Sequence, residues 1–405
     1  MGGDNIIIPN ITVIYEGDKM KVESLNIKGI GGIKELSLNF NEGVNVICGA
    51  NGIGKTTILD VIADAFSIGT RNIRRNVSVP EGEYIINFDT TSLATREIVK
   101  AFSPTEYPQR LGGMREAKYL LNFSTLRDIK YRKLEGIPGD VTRASHDMAN
   151  MAVSGVRADD IKGWFTNRYV FSLQSQGFSK VMRENLDIAI QVFSIMDSTI
   201  NFEYVDSHSL DIMISTPKGT IYFEYLSSGY KTCIYIILGI LKELEYRFYD
   251  SPITYNDFEG IILIDEIDLH LHPTWQAQLV KALKTIFIKA QIIATTHSPS
   301  ILQSLNKDEI IAMGLNENGN TIVKDLELGE YGLQGWTLEE ILQDVMGMPS
   351  TTSEVFQNTM AAFDKAMMEE NIPEIKKNYE LLDKMLHPNS TQRKLLKIQM
   401  AGLEE

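Results

Sequence analysis

Cysteine is scarce in this chain, and so is any surplus of positive charge. Only Cys48 and Cys233 occur in 405 residues, both inside apolar runs. They read as reduced thiols filling core space, which excludes a disulfide framework and points to the cell interior, with a cytoplasmic setting expected. Lysine and arginine number 39 against 53 acids, a net charge of −14, so the chain as a whole is not one that coats nucleic acid. Long hydrophobic runs are also lacking. The longest, residues 233–241, is far short of the roughly 20 needed to cross a bilayer. The N-terminus shows no charged segment followed by an apolar stretch, so no membrane partner is expected.

What is present is a phosphate-binding pattern. Gly49-Ala-Asn-Gly-Ile-Gly-Lys-Thr-Thr57 satisfies G-x-x-x-x-G-K-[ST], the Walker A form. Val44, Val46, Ile47 and Cys48 before it read as a buried strand, and Ile58, Leu59, Ile62 and Phe66 after it recur at helical spacing. That flanking context disfavours a chance glycine-rich turn. Gly49, Gly52 and Gly54 let the backbone wrap phosphates with its N–H groups inward, at the positive end of the following helix. Lys55 is expected to reach the β- and γ-phosphates of ATP and Thr56 to ligate Mg²⁺, with Asn51 and Thr57 completing the loop.

The later motifs select among phosphate-loop enzymes. Ile261-Ile-Leu-Ile-Asp-Glu266 is an apolar strand ending in two carboxylates, the Walker B form. Asp265 is expected to hold Mg²⁺ through water, and Glu266 to orient and polarise the attacking water. His297, at the tip of the next apolar strand, is placed to contact the γ-phosphate. Ser227 and Gly229 open a long helix from about residue 228 to 248 and offer a second anion site at its N-terminus.

Strand and helix alternate, so the expected fold is α/β, a P-loop NTPase with a mostly parallel central sheet, an antiparallel β subdomain, a helical insert and a C-terminal helical tail. Residues 1–90 form the first part of the ATPase domain with the loop, and 91–200 a helical, locally basic insert. Residues 201–325 carry the signature, Walker B and histidine motifs, and 326–405 an acidic helical appendix. Between residues 96 and 143 ten basic residues face six acids. This is either a nucleic-acid contact or, with more weight, a mixed solvated surface. Residues 326–405 hold fourteen acids and seven basic residues, which suits protein contact better than DNA contact, and a packed cap on the ATPase core is an equal alternative.

Residues 226–230, Leu-Ser-Ser-Gly-Tyr, half-match Leu-Ser-Gly-Gly-Gln, and by this the chain resembles the ABC-type ATPases. A finer resemblance is to soluble SMC-like ATPases, including the OLD family and the ATPase subunits of Septu and retron-associated antiphage systems. It covers residues 20–310, through the phosphate loop, Leu-Ser-Ser-Gly-Tyr-Lys, Leu-Ile-Asp-Glu-Ile-Asp-Leu-His-Leu-His-Pro273 and Thr-Thr-His-Ser-Pro299. The resemblance implies an ABC/SMC-head-like fold and a head-to-tail dimer sandwiching two ATP molecules, or a higher assembly. Ser227 and Gly229 would then complete the partner's site. His270 and His272 would be neighbours across the dimer. Ser228 and Tyr230 depart from the signature, and the glutamine loop is left open among Gln109, Gln174 and Gln176.

The resemblance further implies a nucleotide-gated clamp or sensor controlling an effector, such as an HNH-type nuclease, in antiphage defence. An OLD-type enzyme would carry its own nuclease domain, but the 108 residues after His297 contain no Asp-x-Asp. An SMC-like DNA-repair ATPase is the alternative. Its long coiled-coil arms are excluded, because the insert has no sustained heptads. A transporter's nucleotide-binding subunit is disfavoured by the altered signature.

Overall fold

The computed structural model describes residues 19–402 apart from 71, 90–93, 107–108, 111–114, 128–129 and 175. The chain divides into two compact units, one ending at Gly347 and the other beginning at Met348.

The first unit is built around a six-stranded sheet in the order Thr321–Val323, Ile310–Leu315, Val44–Cys48, Gln291–Thr295, Ile261–Ile264, Leu120–Phe123. All neighbours are parallel except the antiparallel hairpin at one edge. The three middle strands are buried along their whole length, as a parallel sheet covered on both faces requires. Helices Lys55–Phe66, Ser228–Arg247 and Pro273–Ile286 follow the loop, the signature and the Walker B turn.

The edge strand Leu120–Phe123 comes from the segment expected to be a helical insert. That segment carries helices Ser145–Ser154, Ile161–Phe171 and Lys180–Met196, but also the strands Ala94–Val99 and Leu120–Phe123. The four residues Leu-Leu-Asn-Phe are too few to show a period by which to recognise a strand, and their pairing with Ile261–Ile264 is a contact across some 140 positions of sequence.

Two antiparallel sheets flank the centre. Ile33–Asn39, Val22–Ile30, Gly82–Phe88 and Ala94–Val99 form one, and the hairpin strands Asn201–Val205, Ile212–Thr216 and Gly219–Tyr222 form the other. Alternating burial along Gly82–Phe88 reflects one wet and one packed face. One continuous core joins these three sheets and reaches Ile341, Val345 and Met346, and Gly69–Thr70 pairs with Gln109–Arg110 in a small fourth sheet. The capping box at Thr337 is formed in both directions. Thr337 Oγ1 accepts from Glu340 N at 3.2 Å, and Glu340 Oε2 accepts from Thr337 N at 2.7 Å.

The second unit has helices Glu354–Met368, Ile372–Met385 and Thr391–Ala401, capped by Ser353, Asn371 and Ser390. Its own small core is Phe363, Ala366, Ile375, Leu382, Leu396 and Met400.

Candidate active site

The phosphate loop leaves the central strand at Cys48 and enters its helix at Lys55. Gly49 and Gly54 hold φ at 139° and 105°, a region that L side chains rarely adopt. A Cβ on Gly49 would also lie 2.6 Å from the Met313 carbonyl oxygen, and one on Gly54 2.8 Å from Ile33. The Lys55 ammonium donates to the carbonyls of Gly49 and Ala50 at 2.9 and 3.0 Å. Burial lowers its pKa, and Cys48 and the carboxylates Asp265, Glu266 and Asp268 oppose that shift.

Parallel pairing brings the Walker B carboxylates to the loop. Thr56 Oγ1 donates to Asp265 Oδ1 and Oδ2 at 3.1 and 3.2 Å, across 209 positions of sequence. Thr295, on the neighbouring strand, donates its hydroxyl to Asp265 Oδ1 at 2.7 Å and accepts from Glu266 N at 2.7 Å. Glu266 has φ of 48°, a left-handed conformation costing a non-glycine residue about 1–2 kcal/mol. Arg127 fixes this turn from the far side, with its guanidinium donating to the carbonyl oxygens of Asp265, Glu266 and Ser124. Residue types with one carboxylate fastened to the loop and its neighbour free of that fastening suit metal ligation and water orientation respectively.

His297 belongs to the same electrostatic cluster. Its backbone N–H donates to Asp268 Oδ1 at 3.0 Å, and Thr296 Oγ1 donates to the same oxygen at 2.6 Å. Burial and then the Lys55 charge lower the imidazole pKa, with Asp268, Glu266 and Asp265 opposing. The ring therefore stays neutral below the usual histidine range, available as donor or acceptor.

Thr295, Asp268 and Arg127 escaped the sequence reading. The first two lie inside motifs already singled out, Thr-Thr-His and Asp-Glu-Ile-Asp, and were legible there as hydroxyl and carboxylate partners. Arg127 had no such signal, because its role depends on the edge strand that precedes it.

At the signature, Ser227 and Ser228 are exposed while Gly229 and Tyr230 are buried. Ser227 caps its helix by accepting from Tyr230 N at 3.4 Å. A Cβ on Gly229 would meet the His270 carbonyl oxygen at 2.6 Å, so the glycine permits the turn after Walker B to lie against the signature helix. Tyr230 donates its hydroxyl to the Phe193 carbonyl at 2.5 Å and stacks edge-on against Trp275. Its departure from the signature pattern thus has a packing cause. Among the described residues no hydrogen bond joins the signature to the phosphate loop. His272 caps Pro273–Ile286, its ring accepting from Thr274 N at 3.4 Å. Two of the three glutamine candidates are not brought to the site. Gln174 and Gln176 line a separate small cavity with Asp140, Asn167 and Arg168, and the Gln109 side chain lies outside the described residues.

The family model described as "AAA domain, putative AbiEii toxin, Type IV TA system" matches residues 44–303, from the strand entering the loop to the helix after His297. Septu protein PtuA of Bacillus thuringiensis is 44% identical over 386 residues, spanning 94% of this chain and 98% of its own length. The chain belongs to the AAA-type ATPases of the Septu and retron antiphage group. Within that group, Septu protein PtuA of Bacillus mycoides is 28% identical over 318 residues, 73% of this chain and 40% of the relative. Retron Ec83 probable ATPase of Escherichia coli is 33% identical over 136 residues, 33% of this chain and 24% of the relative. Among solved structures, the SmcHead bound to the C-winged helix domain of ScpA aligns with 75% of this chain and 98% of its own, at 14% identity and a TM-score of 0.44. Among the described residues no helix is long and apolar enough to cross a membrane.

Proposed function

We propose that this defence ATPase binds and hydrolyses ATP as a nucleotide-gated clamp that controls a partner effector, most simply a nuclease. The observation that carries the reading is the meeting of Thr56 with Asp265 beside Lys55, while Glu266 is held one residue beyond by Thr295 and Arg127.

The donor set fits Mg²⁺, since a hydroxyl and a carboxylate oxygen already converge there and both are hard oxygen ligands. Thr56 and Asp265 would hold the ion, which when bound neutralises charge on the β- and γ-phosphate oxygens. Lys55 would exchange its two carbonyl acceptors for phosphate oxygens. Glu266, as general base, would take a proton from the attacking water, and neutral His297 would hydrogen-bond the γ-phosphate. Ser227 and the backbone at Gly229 would close over a second copy's nucleotide, so that γ-phosphate holds a head-to-tail dimer and its loss releases it. The acidic helical appendix, residues 326–405, is offered as the effector's docking surface.

The test is the solution mass of Glu266→Gln with and without Mg-ATP. A doubled mass with ATP supports the clamp, and a mass independent of nucleotide overturns it. Turnover equal to that of the unaltered protein would remove Glu266 as the base.

A further inference from the structure

A cavity of about 950 Å³ in the first unit lies apart from the phosphate loop. It is an open cleft between the segment after the edge strand Leu120–Phe123, the start of Ile161–Phe171 and the first turn of the signature helix. Six cations line it: Arg127, Lys130, Arg132, Arg157, Lys162 and Lys231. Among the described residues, the carboxylates that face them are Asp159 and Glu224 on the wall, Asp211, which pairs with Lys162, and Asp265, Asp268 and Glu266, which act on Arg127. Positive charge is therefore in surplus on the wall, within an acidic chain, and low-dielectric walls concentrate its field.

Two further features narrow the occupant. Tyr131, about half exposed, lies at the wall with the Lys162 ammonium 4.5 Å from its ring centre, and Leu126 beside it is 87% exposed. They offer an aromatic and an apolar face of the kind on which a base stacks. Glu224 is 7% exposed, and its Oε2 has no hydrogen-bond partner among the described residues although Oε1 pairs with Lys162 at 3.2 Å. A buried, unpaired carboxylate oxygen is costly, and a donor on a bound ligand would satisfy it. The volume also falls in the range of small-ligand sites, about 300–1,000 Å³.

We propose that this cleft is a second nucleotide-type site, separate from the phosphate loop, taking a phosphate ester joined to a base with an amino donor. The phosphate meets Arg132 and Arg157, the base lies on Tyr131, and its amino group faces Glu224. The ester is supplied by a free nucleotide or by the end of a single strand. The proposal goes beyond the clamp reading and does not rest on it.

The experiment uses the full chain carrying Lys55→Ala, which disables the phosphate loop. Two fluorescent probes are titrated: a labelled adenosine monophosphate and a labelled, 5′-phosphorylated single-stranded adenine pentanucleotide. Saturable one-to-one binding of either probe is expected, weakened at least tenfold by Arg132→Glu with Arg157→Glu and severalfold by Tyr131→Ala. All three positions are exposed, so the fold is retained, as a thermal melt will verify. Binding of the monophosphate identifies a free nucleotide, and binding of the pentanucleotide alone identifies a strand end. Absence of binding by both probes, or affinity unchanged by the charge reversals, overturns the proposal. Failure of Glu266→Gln to dimerise leaves it untouched.

Discussion

Thr295 grips both members of the Walker B pair from the neighbouring strand, donating to Asp265 Oδ1 and accepting from Glu266 N, each at 2.7 Å. One buried hydroxyl thus sets the carboxylate that meets Thr56 of the loop and the backbone of the carboxylate proposed to orient the water. Thr295→Val keeps the shape and removes both bonds. Turnover is expected to fall at least tenfold with nucleotide binding retained, and Thr295→Ser should restore most of it. Unchanged turnover in the valine variant would show that Asp265 and Glu266 hold their places without it.

Tyr230 stands where the ABC-type signature that residues 226–230 resemble has glutamine, and it serves as a core anchor. Tyr230→Phe should lose only the bond to the Phe193 carbonyl, about 1 kcal/mol. Tyr230→Gln, which installs the residue of that ABC-type pattern, should cost about 3 kcal/mol or more by emptying the space against Trp275. Denaturant midpoints measure both, and a stable glutamine variant would make the tyrosine a matter of function instead of packing.

Glu243 is fully buried among Lys242, Arg247 and Arg143. Burial alone would raise its pKa, but the three cations outweigh burial and hold the carboxyl well below its usual range. The unfolded chain binds this proton first on acidification, so the stabilisation is complete above about pH 4.5 and is lost as pH falls through the folded value. Glu243→Gln leaves Arg143 and Lys242 to share Asp160 and strips the fully buried Arg247 of its only carboxylate partner among the described residues, and it should cost about 3–5 kcal/mol at neutral pH. It should also flatten the acid limb of the stability curve, and an unaltered limb would assign acid sensitivity elsewhere.

Burial pushes the thiols of Cys48 and Cys233 up to about 12, against about 9 for the exposed group. The folded chain holds both protons through that interval while the unfolded chain releases them, so stability should decline as pH rises above about 9. At neutral pH neither thiol should react with an aromatic disulfide reagent until denaturant unfolds the first unit. Rapid labelling of the native protein would contradict their burial.

The two units have separate cores. A chain ending at Gly347 should keep the melting temperature of the first unit and bind nucleotide as the full chain does. If the part of the acidic appendix that forms the second unit docks the effector, that shortened chain should no longer co-purify with one from its native host. Retained co-purification would move the docking surface to the first unit.

The local chemistry of this protein was written in its sequence. The phosphate loop, the carboxylate pair, the Thr-Thr-His turn, the Thr337 capping box and the three tail helices each depend on residues within a few positions of one another. Spacing and residue type suffice for such features because backbone conformation and capping are short-range. What tertiary structure decided is how distant segments meet. Leu120–Phe123 became a strand because Ile261–Ile264 lay ready to pair with it, and only then could Arg127 reach the carbonyls of Asp265 and Glu266. Thr56 finds Asp265, Gly229 makes room for the His270 turn, and Arg132 and Arg157 share a cleft with Lys231 by the same kind of long-range closure. Hydrogen bonds and charge act over a few ångströms of space, and no periodicity in the chain encodes which remote residues will be brought within that distance.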